Sequence, residues 1–131
     1  AYNMAQKAIS LFPKESSFWD IFASICFLLG RVDEADRAWQ SALQLDPNNR
    51  VALRNRALVW VQMGRHGMGL PILRSLLESD PNNVAAIVDL ANALLTAGDR
   101  PGAIQLIQQS LVRLPNNPVF QKALQDLNSM K

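Results

Sequence analysis

The sequence predicts an all-α chain built from repeated helix–turn–helix units. Three observations predict it. Pro13, Pro47, Pro81 and Pro115 lie 34 residues apart, three times in succession, in a chain with only seven prolines. The last three open the same tripeptide, Pro-Asn-Asn, at 47–49, 81–83 and 115–117. Gly30, Gly64 and Gly98 repeat the same 34-residue spacing. A fixed period of this length marks a repeat array, in which each unit contacts only its neighbours and the core is a long seam.

Cut so that each Pro-Asn-Asn closes a unit, the chain is one domain of five parts: a stub (1–15), three full units (16–49, 50–83 and 84–117) and a tail (118–131). The stub reads as the end of a second helix, with Ala1, Ala5, Ala8 and Ile9 on one face, so the chain is expected to begin mid-unit. In the first full unit Ser16 or Ser17 can cap a helix start through its hydroxyl. Phe18, Trp19, Phe22, Ile25, Cys26 and Leu29 then recur at helical spacing. Gly30 ends that helix, because only Gly enters the left-handed conformation cheaply. Ala35, Ala38, Trp39, Ala42, Leu43 and Leu45 form the apolar stripe of the second helix. Asp46-Pro47 stops it, since Pro disfavours helix at the residue before it.

The other units repeat this plan, with first helices over roughly 50–63 and 84–97 and second helices over roughly 69–79 and 101–113. Pro101 suits a first helical position, with Asp99 or Arg100 before it. The middle unit departs from the pattern at Gly67, Gly69 and Pro71. Pro in a helix interior loses a hydrogen bond and clashes. Its second helix is therefore expected to start late, close to Pro71, after a loosened turn at 64–69. The tail is one more helix, from Asn117 to about Asn128, with Val119, Phe120, Ala123, Leu124 and Leu127 inward. Its polar outer side lets an array end without exposing its core.

Composition limits the function classes. The chain is 49% hydrophobic and 18% charged, which fits an ordered protein and not a disordered one. A net charge of +2 does not point to nucleic acid. No apolar run approaches the ~20 residues that cross a bilayer. Residue 1 is Ala and not Met, so the chain reads as a processed or excised piece. Charge is uneven along the chain. Asp20, Asp33, Glu34, Asp36 and Asp46 against Arg31 and Arg37 give 16–49 a net −3. Arg50, Arg54, Arg56, Arg65 and Arg74 against Glu78 and Asp80 give 50–83 a net +3. Catalytic candidates are thin. His66 is the only histidine and lies in a Gly-rich turn without converging partners for a metal or a general base. Cys26 falls on an apolar stretch and reads as a core thiol. Trp19, Trp39 and Trp60 read as packing and not as a platform for bases. No cofactor, metal, nucleic acid or catalysis is expected.

These residues resemble the tetratricopeptide repeat, a 34-residue helix–turn–helix unit, over essentially the whole chain. That family's pattern has a large apolar residue fourth, small residues eighth and twentieth, Gly often fifteenth and Pro thirty-second. Trp19, Ala23, Gly30, Ala35, Trp39, Ala42 and Pro47 match it in the first unit, and Ile87, Leu90, Ala91, Gly98, Ala103, Ile107 and Pro115 in the third. Ala1 and Ala8 match from the family's position twenty onward. The middle unit matches at Leu53, Ala57, Trp60 and Gly64, and departs at Gly69 and at Arg56, where Leu is usual. The resemblance implies a right-handed superhelical solenoid whose concave groove is lined by the first helices.

Carried over by position, the implied peptide-binding groove comprises Asp20, Ser24 and Phe27, then Arg54, Asn55, Leu58 and Gln62, then Asp89, Asn92 and Leu95. An Asn such as Asn55 can hold a peptide backbone, because its amide both donates and accepts. Two roles are open to Arg54: gripping a ligand, or pairing with Asp20 or Asp89. Some family members grip a C-terminal carboxylate with a basic clamp. Here Asn55 fits that clamp, but Asp20, Ser24, Ala85 and Asp89 stand where Lys, Asn, Lys and Arg are needed. The resemblance implies a non-catalytic protein–protein interaction scaffold, with an acidic or apolar partner segment. Two alternatives are a self-associating segment of a longer array, joined through the N-terminal edge as a homo-oligomer, and an appendage of an enzyme whose catalytic domain lies elsewhere. Either a cytoplasmic or a periplasmic setting fits. Pro-Asn-Asn units and the preference for Arg over Lys suggest a bacterial protein.

Overall fold

The computed structural model describes residues 1–129. Among them eight α-helices succeed one another: α1 (Tyr2–Leu11), α2 (Ser16–Leu28), α3 (Val32–Leu45), α4 (Arg50–Gln62), α5 (His66–Ser79), α6 (Val84–Thr96), α7 (Arg100–Arg113) and α8 (Pro118–Ser129). Residues 130 and 131 of the predicted tail lie outside the described residues. The chain divides into two compact units, Ala1–Arg56 and Ala57–Lys131.

Two turn designs alternate, and each follows from its sequence. The first closes α2, α4 and α6. Gly30, Gly64 and Gly98 have φ of 81°, 84° and 86°, where a side chain would be strained. The Arg31 N–H reaches Cys26 O at 2.8 Å and the Gly30 N–H reaches Phe27 O at 3.0 Å. Arg65 and Gly64, then Asp99 and Gly98, repeat this pair of bonds on Trp60 and Val61, then on Leu94 and Leu95. These are Schellman closures, which satisfy carbonyls that the helix end leaves bare.

The second design explains the tripeptide. Pro47 and Pro81 take the second place of a four-residue turn, where their fixed φ is favoured. The turns close from Asn49 N–H to Asp46 O and from Asn83 N–H to Asp80 O, both at 3.1 Å, and likewise from Asn117 to Leu114 at 3.2 Å. The last Asn then caps the next helix. Asn49 Oδ1 accepts from Ala52 N and Asn83 Oδ1 from Ala86 N, each at 3.1 Å, and Asn117 Oδ1 accepts from Val119 N at 2.9 Å. Pro-Asn-Asn thus ends one helix and starts another.

In the first unit the seam is built from small residues. Ala23, Ala35, Ala42 and Ala52 are completely buried, so their helices approach closely, and Trp39 fills the wider space at 1% exposure. Phe22 and Cys26 are buried beside them. Burial pushes the Cys26 thiol above its ordinary pKa. Tyr2 ties α1 to this core. Its hydroxyl donates to Glu34 Oε1 at 2.6 Å, its ring lies 5.4 Å from Phe22, and the Arg31 guanidinium sits 4.3 Å over its face. The bond to Glu34 raises the Tyr2 pKa. In the second unit Ala57, Val61 and Leu73 pack with Ile87, Leu90, Leu94, Ala103, Ile107, Phe120 and Leu127. The peptide oxygen of Leu127 accepts from Arg100 Nε at 3.0 Å and from its Nη2, which fastens α8 to the start of α7.

Several expectations need correction. Neither Ser16 nor Ser17 caps α2; the N-cap is Glu15, without a side-chain cap bond. Ser16 instead donates to Ala42 O at 2.8 Å and accepts from Asn49 Nδ2 at 2.8 Å, holding α2 to the turn before α4. Leu29, Leu45 and Val119 face outward, at 56%, 42% and 50% exposure. The start of α5 is the largest departure. It begins at His66 and carries Pro71 inside. The reason lies in Gly69. A Cβ there would stand 2.6 Å from Ala57 O, so α5 is already helical where it presses on the α4 backbone. The Gly69 and Met68 N–H groups both close on Arg65 O at 3.1 Å. Pro71 withholds one N–H, and the carbonyl it would have served belongs to Gly67. Both residues are exposed, so water can take the place of the lost donor.

Candidate functional site

The implied groove residues sit on α2, α4 and α6, the first helix of each pair. In the first unit Asp20 is the organising residue. An apolar run surrounds it in sequence, and it is only 8% exposed. A carboxylate is buried at acceptable cost only when donors meet it. Two do so. Trp39 Nε1 donates to Asp20 Oδ1 at 2.8 Å, and Asn55 Nδ2 donates to the same oxygen at 3.1 Å. One carboxylate oxygen therefore joins α2, α3 and α4.

This geometry separates the expected residues. Asp20 and Asn55 are brought together, with Asp20 serving as an internal acceptor. Asn55 is half-buried with one edge of its amide fixed. Ser24 and Phe27 are half-buried on α2, one and two turns past Asp20. Arg54 is exposed and already engaged in an interaction of its own. Arg56, the unusual residue of the middle unit, pairs through Nε with Asp36 Oδ1 at 2.9 Å, which accounts for a charge at a position otherwise apolar. In the second unit Leu58 and Leu95 are half-buried against the core. Gln62 and Asn92 are exposed, and Asn92 O accepts from Thr96 Oγ1 at 2.9 Å. Asp89 is half-buried and engaged in an interaction.

Sequence reading missed the role of Trp39 as a donor. The signal was present: a Trp buried in a seam still needs an acceptor for its N–H. The lone acid in the 18–29 stretch was the available one. His66 lies at the start of α5 and Cys26 inside α2. Among the described residues no group of three or more His, Cys, Asp or Glu side chains could hold a metal ion. Also among them, no helix is long and apolar enough to cross a membrane.

The family model described as tetratricopeptide repeat matches residues 61–127, just over half of the chain. Human tetratricopeptide repeat protein 7B is 33% identical over 70 residues, covering 53% of this chain and 8% of that protein. The chain thus spans less than a tenth of the length of this curated relative. A thermophilic tetratricopeptide repeat protein of Thermus thermophilus superposes with a TM-score of 0.82 at 14% identity, over 99% of this chain and 72% of that one. One from Parabacteroides merdae gives 0.79 at 19% identity, over 96% and 49%. MamA from Desulfovibrio magneticus RS-1 gives 0.77 at 16% identity, over 97% and 72%. At these identities the structures speak for the fold.

Proposed function

This chain belongs to the tetratricopeptide repeat family, and we propose that it is a non-catalytic scaffold holding a segment of a partner protein against its first helices. One observation carries the reading. Asp20 fixes Asn55 through one N–H, so the amide is oriented before any ligand arrives, and ordering it on binding costs little. A carboxamide held this way suits a peptide backbone, which presents both a donor and an acceptor. In the first unit Ser24 and Phe27 flank it on α2, and Arg54 supplies charge next to it on α4. In the second unit Leu58 and Leu95 offer apolar contact, with Gln62 and Asn92 as polar anchors. The test is recovery of partners on the immobilised protein, compared with Arg54→Ala and Asn55→Ala. Both substitutions are expected to reduce recovery several-fold. Unchanged recovery from both moves the site away from these helices.

A second reading has its own observation. Around the N-terminal edge Met4, Leu28 and Leu29 are 79%, 82% and 56% exposed. Tyr2, Ile25, Leu28, Leu29 and Arg31 line a depression there of about 600 Å³. Apolar surface gathered in this way favours association. Sedimentation at several concentrations decides: a mass rising with concentration, and lowered by Leu28→Glu, supports a homo-oligomer through this edge, and a strict monomer removes it.

A further inference from the structure

The second unit has another face that can take a ligand. Helices α5 and α7 both pack on α6, leaving a groove between them. Two adjoining depressions of about 310 and 270 Å³ lie along it and share Leu106 and Gln109. Leu90, Leu94, Leu77 and Leu106 give it an apolar floor. Its walls are polar, with Arg74 and Glu78 one turn apart on α5 and Gln105, Gln109 and Arg113 on three successive turns of α7. No function described above uses this row.

We infer that the α5–α7 groove binds an extended, acid-bearing segment of a partner polypeptide. Spacing gives the shape of the occupant. Residues four apart on a helix are ~6 Å apart along its axis. An extended chain repeats each face every two residues, at ~6.6–6.8 Å. Gln105 and Gln109 therefore step almost in time with an extended backbone, and each carboxamide can give and take one bond. Charge gives the chemistry. Glu78 and Arg113 face the same depression with opposite signs. In the other depression Asp99 spends its Oδ1 on the Gly102 N–H at 2.9 Å, capping α7. Arg74 faces that depression and forms no hydrogen bond or ion pair among the described residues. Asp99 keeps its charge, but at the N-terminus of α7 the positive end of the helix offsets it, so Arg74 is the group there left to meet an acidic side chain.

The probe is a capped hexapeptide of alternating Val and Thr with one Glu, beside the same peptide with Lys in place of Glu. Each is titrated into the isotopically labelled protein and followed by NMR. The Glu peptide is expected to shift the side-chain amide signals of Gln105 and Gln109 saturably and to bind about three- to fivefold tighter than the Lys peptide, the size of an exposed ion pair. Arg74→Glu, a surface change, is expected to reverse that preference. Joint replacement Gln105→Ala and Gln109→Ala is expected to weaken both peptides alike. The inference is overturned by the absence of shifts at millimolar peptide, by equal binding of the two peptides, or by shifts of the same signals on concentrating the protein alone, which makes a second copy the occupant. Variants at Asn55 leave this groove untouched, so its failure and that of the first-helix site are told apart.

Discussion

At the scale of single residues, Trp39 does two things at once. It fills the seam of the first unit and feeds its N–H to Asp20. The two can be separated. Trp39→Ala is expected to cost ~3–5 kcal/mol, from lost burial and the cavity left behind. Trp39→Phe keeps most of the volume and removes the donor, and is expected to cost ~1–3 kcal/mol, because Asp20 remains buried with one bond fewer. Denaturant unfolding measures both, and a loss below ~1 kcal/mol for Trp39→Ala takes it out of the seam. Cys26 is completely buried and that burial pushes its thiol pKa up, so its labelling rate reports opening of the same unit. That Asp20 and Trp39 both mattered was legible in the sequence. That they meet was not, because 19 residues and a turn separate them.

At the scale of elements, the repeated tripeptide makes a sharp contrast. Asn82 and Asn83 are adjacent and chemically identical, yet only Asn83 caps α6. Asn83→Ala is expected to cost ~1 kcal/mol. Asn82→Ala, on an exposed side chain, is expected to stay within ~0.5 kcal/mol. Equal effects in thermal unfolding would remove the cap from the account. The start of α5 teaches the opposite lesson. Its local sequence, with two Gly and a Pro, argues against helix. Docking on α4 overrides it, because a helix pressed on Ala57 needs a residue with no side chain, and Gly69 provides one. Gly69→Ala is expected to cost ~1–3 kcal/mol or more through overpacking, since the neighbour in the way is backbone and cannot swing aside. A neutral result would mean that α5 does not make this approach.

For the molecule as a whole, charge is the property that composition hides. A net +2 conceals a stretch of −3 followed by one of +3. If the partner segment is acidic and meets Arg54, affinity is expected to fall as salt rises, because the screening length drops from ~10 Å at 0.1 M to ~3 Å at 1 M. An affinity flat across that range removes electrostatics from partner binding and leaves apolar contact.

Residue order alone carried the period, the helix–turn–helix plan, most helix limits to within a few residues, and the family. These features are local or periodic: a Pro stops a helix where it stands, and a Gly with φ near 85° turns the chain wherever it falls. Which polar groups meet was settled by packing between helices. Ser16 left its expected cap for Ala42, Asn55 turned to Asp20, and Arg56 found Asp36. Packing also set the start of α5 at His66 in spite of Pro71. A hydrogen bond or a close backbone contact depends on where a distant helix comes to lie, and burial rewards that placement more than local preference opposes it.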